Sequence, residues 1–322
     1  MYNIKIVSTG LYIPGRIQTS AELAPLIGQS EEWIISRTGI AERRIAEEPM
    51  DIIASKAARD ALKGGPGPDC IINASTTPLQ LIPDSSVFIQ RALGYEGIPS
   101  WSIHSTCLSF VVALNTAAAL VHGGTYKRIL IVSAETGTHW RNMKEPESAS
   151  LFGDAAAAAV IEATPPNEKS SWHDWEMNTW PEGAELTEFR GGGTRHPPDH
   201  PSLTKPDDNL FSMQGSRVYR FALGSVKKTL DTLLDRNNLK AADIDWLIPH
   251  QASGHAVEAA ELYGFKRENV ANIVKQYGNC IAASIPMALA IYHKEGKLKR
   301  GDLCVLGGTG AGLSVAFAII RF

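Results

Sequence analysis

Ser102-Ile103-His104-Ser105-Thr106-Cys107-Leu108-Ser109-Phe110 is followed by Val-Val-Ala-Leu-Asn-Thr-Ala-Ala-Ala-Leu, ending at position 120. A short apolar strand stops at a polar turn. The pattern then predicts a helix over 108–122 that begins at the cysteine and carries almost no charge. A helix that is apolar all round is buried. Its first amides have no partner inside the helix, and their partial positive charge favours a thiolate. A free cysteine has a pKa of about 8.5, so only a few per cent is thiolate at pH 7. Cys107 therefore reads as a nucleophile, and equally as a small core residue, since free cysteine is among the most buried residue types.

Two later segments bear on that choice. Ile244-Asp245-Trp246-Leu247-Ile248-Pro249-His250-Gln251-Ala252 is an apolar strand ending in Pro-His-Gln, with a helix after it. Tyr277-Gly278-Asn279-Cys280-Ile281-Ala282-Ala283-Ser284-Ile285-Pro286 is a glycine turn presenting an asparagine ahead of an apolar helix. A lone histidine after a strand is more often structural than catalytic, and a lone Gly-Asn is more often a turn. A cysteine, a histidine and an asparagine, each at a strand end or glycine turn just before a helix, are harder to dismiss together. Layered α/β folds assemble their sites at such strand ends.

With these residues the chain resembles the β-ketoacyl-acyl carrier protein synthase III family, condensing enzymes of the thiolase superfamily. Glu32-Trp33-Ile34-Ile35-Ser36-Arg37-Thr38-Gly39-Ile40, followed by Glu42-Arg43-Arg44, is similar to the family's tryptophan-arginine segment. Leu151-Phe152-Gly153-Asp154 resembles its Gly-Asp motif, and Met213 and Gly215 with Phe221-Ala222 resemble its Met-x-Gly segment. Pro249-His250-Gln251-Ala252, Gly278-Asn279 and Gly307-Gly308-Thr309-Gly310-Ala311-Gly312 match its remaining motifs in order. The resemblance implies an α/β fold, a thiolase-like five-layer αβαβα sandwich of two similar halves. These would be residues 1–165, carrying the cysteine, and 166–322, carrying the histidine and asparagine.

Composition sets outer limits. The 322 residues are 44% hydrophobic and 20% charged, ordinary values for a soluble globular protein. The net charge of −3 leaves no nucleic-acid footprint. No apolar run reaches the roughly 20 residues needed to span a bilayer, and Ile4-Lys5-Ile6-Val7 starts a strand with no leader before it. Cysteines 70, 107, 280 and 304 have neither metal-ligand nor disulfide spacing, so a cytoplasmic, reduced protein without a metal is expected.

Strands are expected near 3–8, 70–75, 100–105, 128–134 and 156–162, with helices near 50–63, 84–93 and 108–122. The second half reads as a helix near 216–235, strands near 244–248 and 302–307, helices near 253–263 and 282–294, and a strand at 313–321. Asp69-Cys70-Ile71-Ile72-Asn73-Ala74 echoes Asp245-Trp246-Leu247-Ile248-Pro249-His250, which is weak evidence of duplication. The join is expected near 163–172. The stretch 181–210, rich in Pro, Gly and Asp, is a long loop that either covers a pocket or is a solvated insertion, and the second reading is preferred.

In the chemistry the resemblance implies, Cys107 takes an acyl group from a thioester. The Cys107 N–H and the turn at Gly310 and Ala311 would form the oxyanion hole. A malonyl thioester would then lose CO₂, its enolate oxygen held by His250 and Asn279. His250 should be mostly neutral, with its other nitrogen accepting from an N–H near Ser284. Trp33 and Arg37 would hold the adenine and phosphate end of CoA. Without the resemblance, helix packing and a surface salt bridge would be preferred for that pair. Gly215 and Ser216 would line the pantetheine arm, while Arg217, Arg220 and His255 would meet an acidic acyl carrier protein. The family is generally homodimeric, with the segment around Leu81-Ile82-Pro83 near the partner's pocket. CoA or phosphopantetheine thioesters would be substrates, with no separate cofactor.

Several positions depart from the family pattern. Ser105-Thr106 replaces a small pair before the cysteine, and residues 144–150 hold no arginine for adenine. Ser216, His255 and Cys280 also differ, Cys280 reading as a threonine-sized filler. These changes point to a specialised synthase. Alternatives include an enzyme joining two β-ketoacyl chains, a thioester hydrolase and a non-catalytic carrier-binding subunit. A degradative thiolase would need a second catalytic cysteine, and Cys304 lies inside an apolar strand instead.

Overall fold

The computed structural model describes residues 1–322. β1 (Ile4–Tyr12) leads into a hairpin of β2 (Arg16–Thr19) and β3 (Glu42–Ile45), which encloses α1 (Ser20–Leu23) and α2 (Glu31–Thr38). The Ser30 hydroxyl accepts from Trp33 N–H at 3.1 Å to start α2, and left-handed Gly39 ends it. Then follow α3 (Met50–Leu62), β4 (Cys70–Asn73), α4 (Ser85–Leu93), β5 (Ser100–Ser102), α5 (Ser109–His122), β6 (Arg128–Glu135), α6 (Pro146–Ala149) and β7 (Ala155–Ala163). The second half begins with β8 (Ser171–Thr179), β9 (Thr187–Glu188), β10 (Ser212–Met213), α7 (Gly215–Arg236) and β11 (Trp246–Pro249). It closes with α8 (Gly254–Glu258), α9 (Val274–Tyr277), α10 (Ser284–Lys294), β12 (Leu303–Gly310) and β13 (Ser314–Arg321).

The main sheets have the orders β1-β7-β6-β4-β5 and β8-β13-β12-β11. Read from β1 and from β8, each runs antiparallel, antiparallel, then parallel, so β4 and β11 hold equivalent places. The sequence echo has a physical cause. Asp69, just before β4, accepts from the N–H groups of Lys127 and Arg128 at 2.8 and 3.0 Å where β6 begins. Asp245, just before β11, accepts from Leu303 N–H at 2.8 Å where β12 begins. In both halves a carboxylate pins the start of the neighbouring parallel strand.

Side-chain alternation builds the layers. On β7, Ala155, Ala157, Ala159 and Ile161 face a central cluster that also holds α5 and α10. Ala156, Ala158 and Val160 face the opposite way, against α3. On β13, Ala316, Ala318 and Ile320 join the same central cluster, while Val315, Phe317 and Ile319 pack under α7. The layers are therefore helix, sheet, helix, sheet, helix. Alanine is a poor strand former; here its small side chain lets helices approach β7 from both faces. The fold is the expected α/β, thiolase-like sandwich. No helix is long and apolar enough to cross a membrane.

Several elements differ from the sequence reading. The helix after the cysteine starts at Ser109, two residues past it. Ser171–Thr179, whose first two residues fall in the expected join and whose remainder carries no expected element, is a full strand beside β13. The helix expected over 253–263 divides into α8 and a 3₁₀ segment, Ala259–Tyr263. The hairpin of β2 and β3 was not anticipated.

Candidate active site

Cys107 occupies a tight turn between β5 and α5. Thr106 has φ of 49°, and Ser105 and Cys107 form a bridge across it. Ser109 laces the turn: its hydroxyl donates to Thr106 O at 2.7 Å and accepts from Ser105 N–H at 2.9 Å. Thr106, Asn238 and Ile281 are the non-glycine residues with positive φ. Asparagine tolerates that region, whereas a β-branched residue there stores roughly 1–3 kcal/mol of strain. The two β-branched cases flank Cys107 and Asn279.

The expected low thiol pKa is not found. Burial, with Glu135 as second cause, pushes the Cys107 thiol up to about 12, against the pull of its own backbone N–H. With the helix starting two residues later, its N-terminal amides do not offset that burial. The resting group is a thiol.

His250 follows β11 and is buried, and burial lowers it to about 4, so the ring is neutral at pH 7. Its Nδ1 is buried without a hydrogen-bond partner, which corrects the expected bond from near Ser284. Nε2 is then the nitrogen the ring can offer to substrate. Gln251, unassigned from sequence, braces this strand end. Its Nε2 donates to Pro249 O at 2.8 Å and Ala271 O at 3.0 Å, and its Oε1 accepts from Ile273 N–H at 2.9 Å.

Asn279 Oδ1 accepts from Ile281 N–H at 2.8 Å. That bond fixes the amide and leaves Nδ2 as the free donor. Its backbone pairs with Leu151 O at 2.8 Å and Gly153 N–H at 3.1 Å. Gly278, with φ of 66°, packs so closely that a Cβ there would lie 2.7 Å from Leu151 O.

One cavity of about 610 Å³ is lined by Cys107, His250 and Asn279, together with Gly310 and Ala311 of the glycine turn. A Cβ on Gly310 would lie 2.5 Å from Thr106 Oγ1, so the two turns meet only because Gly310 has none. Phe189, Gly191, Gly192 and Phe211 also line the cavity. The loop preferred as a solvated insertion is therefore cavity wall. Phe189 packs on Trp140 at 4.3 Å and Phe211 on Phe152 at 4.7 Å, which draws the loop inward. Its Pro, Gly and Asp content hid two widely spaced aromatic anchors.

Glu135 was also missed, although a carboxylate ending an apolar strand is a readable signal. It is fully buried and accepts from Thr76 N–H at 2.5 Å and Thr77 Oγ1 at 3.1 Å. Both threonines line the cavity. Burial raises Glu135 to about 7. Cys280 and Cys304 are buried fillers.

The residues expected to bind CoA and a carrier do not line this cavity. Trp33 is half-buried against a small cluster around Leu23 and Ile34, which fits helix packing. Arg37 is exposed and pairs with no carboxylate, so the surface salt bridge considered for it is absent. Gly215 and Ser216 open α7, between Met213 and Val218, which do line the cavity. Arg217 and Arg220 are exposed, donating to Gln214 Oε1 at 2.5 Å and Ser216 O at 3.2 Å. His255 bonds Ser36 O at 2.9 Å, tying α8 to α2.

Residues 102–180 match the family model for 3-oxoacyl-[acyl-carrier-protein (ACP)] synthase III, and residues 234–322 match the model for its C-terminal part. The chain is 33% identical to the beta-ketoacyl-[acyl-carrier-protein] synthase III of Desulfitobacterium hafniense, over 100% of this chain and 98% of that one. It resembles the crystal structure of 3-oxoacyl-[acyl-carrier-protein] synthase III from Aquifex aeolicus with a TM-score of 0.89 and 31% identity, covering 99% and 100% of the two chains. It also resembles the priming beta-ketosynthase of the R1128 polyketide pathway, with a TM-score of 0.89 and 27% identity over 99% and 96%.

Proposed function

Because the chain belongs to the 3-oxoacyl-[acyl-carrier-protein] synthase III family of acyl-transferring condensing enzymes, we propose that it joins an acyl primer to a malonyl thioester with loss of CO₂. The product is a β-ketoacyl thioester. The single observation that carries this reading is the one cavity lined by Cys107, His250 and Asn279. Cys107 Sγ attacks the primer carbonyl, and the carrier thiol leaves with the cysteine proton. The Cys107 N–H and the Gly310–Ala311 turn hold the oxyanion. Malonyl thioester then enters and its carboxylate departs as CO₂. The electron pair left behind forms an enolate, whose oxygen takes hydrogen bonds from His250 Nε2–H and Asn279 Nδ2–H. The enolate carbon attacks the acyl carbonyl, and Cys107 leaves as a thiolate that takes a proton from water. A neutral histidine suits this role, because it donates without protonating the enolate.

Delivery falls to the rim. Arg37, Arg217 and Arg220 are exposed and bonded to no carboxylate, so they are free for CoA phosphates or an acidic acyl carrier protein. Trp33 on α2, Gly215 and Ser216 on α7 and His255 on α8 are assigned to the same delivery step on the strength of the family resemblance. The departures at Ser105, Thr106 and 144–150 support a specialised fatty acid, polyketide or related pathway. A homodimer fits the exposed Leu81 and Ile82. The second reading, condensation of two β-ketoacyl chains, draws on a separate apolar cavity of about 80 Å³ that also touches His250.

The test is intact mass after mixing the protein with acyl-CoAs and acyl carrier proteins, beside Cys107→Ala. An adduct that needs Cys107 and vanishes on adding a malonyl thioester, with a β-ketoacyl product, is the expected result. Discharge to free acid without malonate would mean a hydrolase, and no adduct from any donor would sink the reading.

A further inference from the structure

Arg43 is completely buried, yet it pairs with no carboxylate. Its guanidinium donates to Ser150 O at 2.9 Å, Ser20 Oγ at 3.1 Å and Gln18 O at 3.4 Å. Its Nε is buried with no partner. Burial lowers it to about 10, so it remains a cation at neutral pH. A buried charge without a counter-ion is expensive, and an apolar side chain of similar volume is often as stable or more so. Stability alone does not account for this choice of residue.

The contacts of Arg43 lead to the reactive centre. Ser150 begins the 150–153 loop, and that loop clamps the backbone of Asn279. Leu151 O accepts from Asn279 N–H at 2.8 Å, and Gly153 N–H donates to Asn279 O at 3.1 Å. The first carbon of the Arg43 side chain lies against the same turn. A Cβ on Gly153 would sit 3.1 Å from Arg43 Cβ, and one on Gly278 would sit 3.4 Å from it. Arg43 thus ties three pieces together: the β2–β3 hairpin, the 150–153 loop and the turn presenting Asn279. Asp154 anchors the far end of the loop through Ala46 N–H at 2.9 Å and Thr138 Oγ1 at 2.6 Å, without touching Arg43.

We propose that Arg43 is a positioning residue for Asn279: by holding Ser150 O and Ser20 Oγ together it fixes the 150–153 loop, and so sets the angle at which the Asn279 amide meets the enolate oxygen. This rests on the reading of Asn279 given above. Lysine keeps the charge but cannot span both acceptors with a planar fork.

The experiment separates the two half-reactions. Acyl transfer to Cys107 is followed by intact mass, and labelled CO₂ release from a malonyl thioester is followed on pre-acylated enzyme. Arg43→Lys should acylate within about twofold of the parent and release CO₂ at least about tenfold more slowly. Asn279→Ala runs in parallel, and the double variant should be no slower than Asn279→Ala alone, since the residues act as one unit. A general loosening of the fold would slow both half-reactions and would multiply in the double variant. Either result overturns the proposal, as does normal CO₂ release in Arg43→Lys beside a slow Asn279→Ala. If Asn279→Ala itself releases CO₂ normally, the reading of Asn279 falls and takes the proposal with it. Should Arg43→Lys fail to fold, Ser20→Ala keeps the guanidinium and removes one acceptor. It should slow CO₂ release alone by about two- to fivefold, and no change would count against the proposal.

Discussion

Glu135 and His250 place opposite demands on protons, and this makes the role of Glu135 measurable. Burial raises Glu135 from 4.5 to about 7, so between those values the folded chain holds a proton that the unfolded chain has lost. Its contribution to stability is therefore fully present below about pH 4.5 and is lost as the pH rises through about 7, a difference on the order of 3 kcal/mol. His250 behaves the other way. Its folded value of about 4 lies below 6.5, so its contribution is present above 6.5 and is lost as the pH falls toward 4. In the parent protein the two slopes partly cancel. Glu135→Gln keeps an acceptor for the Thr76 N–H and removes the titration. Relative to the parent, this variant should gain several degrees in Tm at pH 8 and much less at pH 5. Thermal unfolding at the two pH values decides it, and an equal gain at both would assign the effect to packing. The same environment explains the resting state of Cys107. Its thiol is held protonated by burial and by Glu135.

Among the elements, the meeting of the Cys107 turn with the end of β12 carries the sharpest expectation. Gly310→Ala introduces a methyl group at 2.5 Å from Thr106 Oγ1. The Thr106 side chain must give way, and where the strained Thr106 turn moves with it the oxyanion donors separate. Acylation of Cys107 should fall by on the order of 10²-fold, the usual cost of losing one such donor. Intact-mass time courses would measure this, and a variant that acylates normally would remove Gly310 from the oxyanion hole. The glycine turn, the histidine strand end and the asparagine turn were legible because each carries its signal within a few adjacent residues. The thiol environment was not. Its raised pKa rests on burial and on the charge of Glu135, far away in sequence, and the apolar pattern does not distinguish a helix beginning at Cys107 from one beginning at Ser109. The 187–192 wall was hidden for a related reason. Phe189 and Phe211 reach Trp140 and Phe152 across a long separation in sequence, while the residues between them have loop composition. β8 carries His173, Asp174 and Glu176 among its aromatics, and only pairing with β13 makes it a strand.

For the whole molecule, the duplicated architecture was faintly visible in the Asp69 and Asp245 echo, because the same backbone clamp recurs at equivalent strands of both sheets. One difference between the halves remains to be explained: β5 extends the first sheet beyond β4, and the second sheet has no counterpart. β5 is therefore an edge, with unpaired backbone groups on its outer side. The nearby segment exposes Leu81 at 68% and Ile82 at 84%, with Val87 at 46% on α4. Leu81 also lines the cavity that holds Cys107, so this apolar surface adjoins it. An apolar patch beside a free sheet edge is costly in water, and a second copy of the chain would cover both. The intact protein should then run as a dimer in size-exclusion chromatography with light scattering. Leu81→Asp combined with Ile82→Asp should shift it to monomer by burying charges that a two-fold interface cannot pair. Because Leu81 meets the cavity, the same variant should also lose most primer transfer, even at protein concentrations where the parent is fully active. A parent that runs as a monomer, or a double variant that stays dimeric, would move the interface elsewhere and leave the β5 edge without a partner.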